Sequence, residues 1–139
     1  MKREYKDLVH AAQKAKLNAY APFSKFRVGA AVLAKDGTVF SGCNIENSSY
    51  GLTICAERVA IFNAISSKVS KFTAIALVSD DHGFTAPCGA CRQVLLDLAG
   101  DIDIVMMDSK ERFKILKLSA LLPFAFTGKN LQRSLKLKK

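Results

Sequence analysis

Two short segments constrain the fold of this chain more than any other feature of the sequence. They are Cys55-Ala56-Glu57 and Pro87-Cys88-Gly89-Ala90-Cys91. Three cysteine thiolates form the ligand set of a zinc ion that keeps its fourth position open for water, whereas structural zinc sites use four protein ligands. A fold that uses both segments must therefore bring two separate parts of the chain to one metal ion, with Glu57 beside it.

Apolar spacing and turn residues predict the element order α-β-β-α-β-α-β-β-α. We predict helices over 3–19, 53–66 and 87–98, a short helix ending at Leu122-Pro123, and an amphipathic turn or two over 128–137. Strands are predicted over 26–34, 38–43, 72–79, 101–107 and 112–116, with an Asp36-Gly37 hairpin turn between the first two. Strands that alternate with helices predict a mixed sheet with helices on both faces.

The two cysteine segments each coincide with a predicted helix start, for which Thr53 and Pro87 supply the sequence signals. Cys55 and Cys88 are predicted in the first helical turns, where free N–H groups and the helix dipole stabilise thiolates. Cys91 follows Cys88 by three residues and shares its helix face. Pro-Cys-x-x-Cys alone also occurs in redox pairs and structural zinc sites, but its combination with Cys-Ala-Glu favours a catalytic site.

Three thiolates on a divalent zinc ion leave a net negative charge that must be offset. Arg58 can donate hydrogen bonds to the ligand sulfurs, and Arg92 is a second candidate for this role. Cys43 is predicted to be a buried, apolar-like cysteine. His10 and His82 stand in neither motif and are predicted to take no part in the site.

Length and composition favour one domain over residues 1–139, half of which are hydrophobic. Four cysteines are too few for a disulfide framework, and the first residues lack the apolar region of a secretory signal. No apolar run approaches the roughly 18 residues of a membrane span. We therefore expect no membrane association and a reduced, cytoplasmic setting.

The formal net charge is +9, from 21 basic and 12 acidic side chains. The basic residues form two clusters near the C-terminus: Lys110, Arg112, Lys114 and Lys117, then Lys129, Arg133, Lys136, Lys138 and Lys139. The second cluster has no interleaved aromatic residues on which bases could stack. We therefore interpret both clusters as solvated faces and expect no nucleic-acid partner.

Several further segments carry a family resemblance that covers nearly the whole chain. They are Ala19-Tyr20-Ala21-Pro22-Phe23-Ser24-Lys25-Phe26, Val28-Gly29-Ala30-Ala31, Gly42-Cys43-Asn44-Ile45-Glu46-Asn47, Cys55-Ala56-Glu57-Arg58, Pro87-Cys88-Gly89-Ala90-Cys91-Arg92-Gln93 and Leu121-Leu122-Pro123. With these segments the chain resembles a cytidine deaminase of the small, homotetrameric, three-cysteine zinc type. The resemblance implies a three-layer α-β-α cytidine deaminase-like fold around a mixed five-stranded sheet.

The resemblance also implies a role for individual residues. It assigns Cys55, Cys88 and Cys91 as zinc ligands, Glu57 as the catalytic acid–base, Asn44 and Glu46 to the ribose hydroxyls, Phe26 to the base or sugar, the Ala56 backbone to the pyrimidine edge, Tyr50 to an interface or the site wall, and Phe126 to the site of a neighbouring subunit. A carboxylate and an amide are also the groups that ribose hydroxyls would need. Phe124 departs from the pattern, because the family commonly has a small residue there.

The implied reaction is hydrolysis of cytidine and deoxycytidine to uridine and deoxyuridine plus ammonia, a step of pyrimidine salvage. Glu57 would carry a proton from a zinc-activated water to N3 of the ring and then to the departing amine. Three alternatives remain open: a deaminase of another aminopyrimidine nucleoside such as blasticidin S, an RNA- or DNA-editing deaminase, and a non-catalytic zinc module. Cys55 argues against an editing deaminase, because those enzymes usually have histidine at this position. Glu57 argues against a non-catalytic zinc module.

Overall fold

The computed structural model describes residues 1–137, and Lys138 and Lys139 of the predicted basic tail lie outside these residues. Its strands are β1 (Val28–Ala34), β2 (Val39–Cys43), β3 (Phe72–Ser79), β4 (Asp103–Met107) and β5 (Phe113–Lys117). They form a sheet in the order β2-β1-β3-β4-β5, in which β3 and β4 are parallel and the other neighbours antiparallel. The mixed five-stranded sheet predicted from the sequence is confirmed.

The helices are α1 (Arg3–Lys16), α2 (Ala56–Ser66), α3 (Gly89–Ala99), α4 (Leu118–Leu121) and α5 (Gly128–Leu137). Of these, α1 packs on one face of the sheet, and α2 and α3 pack on the other. The α5 helix spans the predicted range 128–137, as one continuous helix of 10 residues instead of a turn or two. None of these helices, within residues 1–137, is both long enough and apolar enough to cross a membrane.

Strand β1 shows why the chain needs helices on both faces. Its sequence Val-Gly-Ala-Ala-Val-Leu-Ala is apolar throughout, and all of it except Val28 is buried. Ala30 and Val32 pack in one hydrophobic cluster with α2 and α3, whereas Ala31 and Leu33 pack in a second cluster with α1. A strand that is covered on both faces requires such a continuous apolar run. The two clusters confirm the three-layer α-β-α arrangement.

Two glycines allow the helices to lie close to the sheet. A Cβ atom at Gly29 would lie 2.0 Å from the Ala12 carbonyl oxygen of α1. A Cβ atom at Gly42 would lie 2.6 Å from the Ala60 nitrogen and 2.9 Å from the Ala56 oxygen of α2. The close approach of α2 to β2 therefore depends on the absence of a Cβ atom at Gly42.

The start of α2 differs from the prediction. The helix begins at Ala56 with Cys55 as its N-cap residue, not at Thr53. The N–H and carbonyl groups of Ile54 both pair with Ile45, which keeps the backbone extended up to Cys55. The Thr53 hydroxyl instead accepts a hydrogen bond from the backbone N–H of Asn47. Residues Tyr50–Leu52 form a short 3₁₀ turn within the predicted loop.

Candidate metal centre and active site

The three predicted ligand cysteines converge at the starts of two helices. Cys55 is the N-cap residue of α2, and Cys88 is the N-cap residue of α3, so each stands just before the helical turn in which we predicted it. The Sγ atom of Cys88 lies 3.8 Å from that of Cys55 and 3.5 Å from that of Cys91. These sulfurs and a carboxylate oxygen of Glu57 all lie within 4.8 Å of one another.

The sulfur positions fit a zinc ion. With Zn–S bonds of about 2.3 Å, two sulfurs of a tetrahedral site stand about 3.8 Å apart. The two distances at Cys88 are close to this value without any movement of the backbone. Three thiolates leave one position for a further ligand, and the Glu57 carboxylate is near enough to contact a small molecule held there.

A cavity of about 290 Å³ opens beside the cluster. Its walls bring together five predicted site residues and two of the ligand cysteines, which in chain order are Phe26, Asn44, Glu46, Cys55, Ala56, Glu57 and Cys88. The other lining residues are Ser24, Val28, Thr53, Ile54, Thr85 and Ala86. The sequence reasoning missed Ser24, Thr85 and Ala86. Ser24 stands in the Ala-Pro-Phe-Ser segment that carried part of the resemblance, whereas no local signal marked Thr85 or Ala86.

The two arginines next to the motifs have different roles. The Arg58 Nη2 atom lies 3.5 Å from the Cys55 sulfur, as predicted for a residue that offsets thiolate charge. Its Nε atom is buried and has no hydrogen-bond partner within residues 1–137. Arg92, our second candidate, donates to the backbone carbonyls of Pro87 and Leu121 instead of to a sulfur.

Comparisons with known proteins agree with this geometry. Residues 2–107 match the family described as the cytidine and deoxycytidylate deaminase zinc-binding region. The chain belongs to this family. The match covers both cysteine segments and shows that the protein is an enzyme with a zinc-binding region.

Individual relatives extend the similarity to most of this deaminase. It is 46% identical over 125 residues to a cytidine deaminase of Sporosarcina psychrophila, covering 89% of this chain and 92% of that protein. A crystal structure of cytidine deaminase from Burkholderia pseudomallei superposes with a TM-score of 0.85 at 45% identity, covering 91% of this chain and 100% of that one. Cytidine deaminase from Mycobacterium tuberculosis gives a TM-score of 0.78 at 41% identity, covering 90% and 98% of the two chains.

The pKa values of two of the three cysteines in the cluster are shifted in opposite directions. A hydrogen bond with the Cys91 thiol, together with Arg58, lowers the pKa of Cys55 to about 5. The same hydrogen bond and burial raise the pKa of Cys91 well above its ordinary value. Between these two cysteines, Cys55 is therefore the one that ionises more readily in the metal-free cluster. Since a metal ion deprotonates its cysteine ligands, zinc would convert all three to thiolates.

Glu57 has the environment of a proton carrier. It is 4% exposed, and burial raises the pKa of its carboxyl above the ordinary value, with a smaller contribution from the negative Cys55 sulfur. A carboxyl whose pKa moves toward neutrality can both accept and return a proton at physiological pH. Ala56, just before it, is the first residue of α2, so its N–H has no partner within the helix.

The predicted ribose ligands also shape the cavity wall. The Asn44 amide accepts a hydrogen bond from the Val28 N–H and donates one to the Phe26 carbonyl, each at 2.8 Å. The Glu46 carboxylate accepts hydrogen bonds from the Ser24 hydroxyl and from the N–H groups of Ser24 and Phe23. The Ser24 hydroxyl is the main cause that lowers the pKa of Glu46. Both side chains thus hold the segment that presents Phe26 to the cavity.

The remaining predicted residues lie away from the cavity of their own chain. Phe126 is 57% exposed, and its carbonyl accepts a hydrogen bond from Gln93 on α3. Phe124 is fully exposed and has a positive φ of 55°. The exposed Tyr50 ring packs edge-on against the Phe23 ring, with 6.0 Å between the ring centroids. The half-buried Cys43 and the two histidines do not join the metal cluster of the described residues.

Proposed function

We propose that this protein catalyses the hydrolysis of cytidine and deoxycytidine to uridine and deoxyuridine with release of ammonia. The observation that carries the proposal is the buried Glu57 carboxyl beside three convergent cysteine sulfurs, next to a small cavity that Glu57, Cys55 and Cys88 line. Relatives that are 42–46% identical to this chain over 122–125 residues are named cytidine deaminases. We place the reaction in cytoplasmic pyrimidine salvage, carried out by one domain over residues 1–139.

The residues divide the chemistry in a simple way. Bound zinc, held by Cys55, Cys88 and Cys91, would supply a water molecule with a pKa lowered toward about 7. Glu57 takes the proton from the attacking water and delivers it to N3 of the pyrimidine, while oxygen bonds to C4. Glu57 then takes the remaining proton from the oxygen on C4 and gives it to the amine as the C4–N bond breaks and the C4 carbonyl forms, so that one water is consumed and one ammonia leaves. General acid–base groups of this kind contribute about 10²–10⁴ in rate.

The cavity walls position the nucleoside for this sequence. Asn44 and Glu46 bind the ribose hydroxyls, since a carboxylate accepts hydrogen bonds and an amide can do both. The Phe26 ring packs against the base or sugar, and the backbone at Ala56 contacts the pyrimidine edge. The Ala56 N–H, which as the first of α2 has no acceptor within that helix, supports this last contact.

The purified, zinc-loaded chain and its Glu57→Gln variant test the proposal. We expect the wild type to convert cytidine to uridine, followed by the change in ultraviolet absorbance. Glu57→Gln should lose at least 10² in kcat and keep its zinc content, because it retains the shape but not the basicity of the carboxylate. A variant with nearly full turnover would refute the role of Glu57, and turnover of blasticidin S or an oligonucleotide alone would identify a different substrate class.

We also propose that the active form is a homotetramer in which Phe126 lines the cavity of a neighbouring subunit. The exposure of Phe126, Phe124, Tyr50 and Leu52 supports this, because large apolar side chains on a surface commonly mark an interface. Light scattering coupled to size exclusion should give about four times the 15.1 kDa chain mass. A fully active monomer would contradict the proposal.

A further inference from the structure

Helix α3 carries two polar side chains directly after the metal ligand Cys91. Arg92 donates from Nε to the Pro87 carbonyl and from Nη1 to the Leu121 carbonyl, both at 2.7 Å. Gln93 donates from Nε2 to the Phe126 carbonyl at 2.9 Å. Two adjacent residues of one helical turn thus hold the backbone of the metal-ligand loop and both ends of the segment 121–126.

The bond to Pro87 acts on the metal ligand that follows it. Pro87 is fully buried and has no N–H, so its carbonyl is the one backbone group that needs a partner. This carbonyl belongs to the peptide bond that ends in the Cys88 nitrogen. The planar guanidinium of Arg92 fixes that peptide plane with a short, charge-assisted hydrogen bond.

The other bonds act on a strained segment. Between the two held carbonyls of Leu121 and Phe126, Phe124 adopts a left-handed φ of 55° with its ring fully in solvent. A residue with a Cβ atom adopts this conformation at an energetic cost and keeps it only where the surroundings impose it. The hydrogen bonds from Arg92 and Gln93 supply that restraint at both ends.

We propose that Arg92 and Gln93 are positioning residues that couple the metal centre to the segment 121–126. Arg92 sets the orientation of the Cys88 loop, and Gln93 sets the direction in which Phe126 is presented. The Arg92 part depends on the cysteine cluster alone. The Gln93 part rests on the proposed function, since it concerns a residue that we place at the nucleoside site of a neighbouring subunit.

The Arg92 part is tested with Arg92→Gln and the matched control Arg133→Gln, an exposed arginine on α5. The full chains are loaded with Co²⁺, and zinc affinity is measured by competition with a chelator. We expect Arg92→Gln to bind zinc 10–100-fold more weakly and to change the cobalt–thiolate absorption bands, as for other groups that orient metal ligands. Arg133→Gln should change neither quantity.

A folded Arg92→Gln chain with unchanged zinc affinity and cobalt spectrum would overturn this part. If Arg92→Gln does not fold, Arg92→Lys is measured in the same way. Lysine keeps the charge but cannot hold two carbonyls with a rigid fork, so it should show the same changes to a smaller extent. An Arg92→Lys chain identical to the wild type in both readouts would equally overturn the proposal.

The Gln93 part is tested by steady-state kinetics of Gln93→Leu against the control Gln132→Leu on α5. We expect KM for cytidine to rise about tenfold in Gln93→Leu, with kcat and the cobalt spectrum unchanged, because the chemistry does not involve Phe126. Equal kinetics in both variants would overturn this part. If the wild type does not deaminate cytidine, the proposed function fails, while the zinc and cobalt measurements on Arg92 still decide the metal part.

Discussion

Replacement of Gly42 by alanine tests whether the distance between β2 and α2 sets the catalytic geometry. The added Cβ atom would lie 2.6 Å from the Ala60 nitrogen and 2.9 Å from the Ala56 oxygen, where ordinary contacts begin at 3.4 Å. The Val59 Cβ atom of α2 also lies 2.9 Å away, and the backbone of α2 fixes all three atoms, so no side-chain rotation relieves the overlap. The helix must move away from the sheet, and Cys55 and Glu57 move with it.

The structure gives the size of the two effects. The shortfall of 0.8 Å at the Ala60 nitrogen exceeds what a packed core accepts without strain, and overpacking of this kind costs about 1–3 kcal/mol of unfolding free energy. Displacement of catalytic groups by about 1 Å can cost about 10²-fold in rate. We therefore expect Gly42→Ala to lose about 2 kcal/mol of stability and about 10–100-fold in kcat/KM per folded molecule.

Two other glycines separate these effects. Gly29→Ala overlaps the Ala12 oxygen of α1, on the opposite face of the sheet from the metal cluster, and should lose stability with little change in turnover per folded molecule. Gly128→Ala meets no atom within 4 Å and serves as the control. Urea unfolding gives the stabilities, and uridine formation gives the rates. If Gly42→Ala is destabilised but fully active, the position of α2 does not set the catalytic geometry.

Two further predictions concern charged groups. Arg58→Ala should weaken zinc binding about tenfold, because Arg58 donates a hydrogen bond to the Cys55 sulfur. Competition with a chelator measures the zinc affinity. An unchanged affinity would show that this hydrogen bond is dispensable. Hydrogen bonds from Arg27, then Lys16, hold the pKa of Asp80 well below its ordinary value, so its carboxylate stabilises the fold above about pH 4 and loses this effect as the pH falls. Asp80→Asn should therefore lower the free energy of unfolding by about 1 kcal/mol at pH 7. Urea unfolding should show that this difference from the wild type shrinks below about pH 4. A difference that persists at that acidity would contradict the pKa shift.

The elements that the sequence predicted well carry their signals locally. The run over Phe72–Ser79, which is apolar except for Thr73 and Ser79, matches β3, because a strand covered on both faces needs no polar alternation. The Asp36-Gly37 turn between β1 and β2 is also confirmed, with Gly37 at a positive φ of 94° and the Asp36 carboxylate accepting the Thr38 N–H. The metal cluster was predictable for the same reason, since ligand type and spacing lie within two short segments.

The errors came from partners that are distant in sequence. Thr53 has the local features of an N-cap residue, but the pairing of Ile54 with Ile45 delays the helix to Ala56. Arg92 stands next to a ligand cysteine, yet one of its acceptors is the Leu121 carbonyl, 29 residues away. Backbone carbonyls leave no trace in the sequence, so residue type alone could not distinguish an arginine that binds a sulfur from one that holds a loop.

The use of cysteine as the N-cap residue of both helices explains how the site keeps its amides available. Serine or aspartate in that position accepts a hydrogen bond from the first-turn N–H groups and so satisfies them. Within residues 1–137 neither Cys55 nor Cys88 makes such a bond, and both sulfurs point to the common cluster. The first N–H groups of both helices are therefore not capped by these two side chains, and those of Ala56 and Glu57, which line the cavity, can act on polar groups there. Serine in place of Cys55 would both remove a metal ligand and accept a hydrogen bond from an N–H group in the first turn of α2.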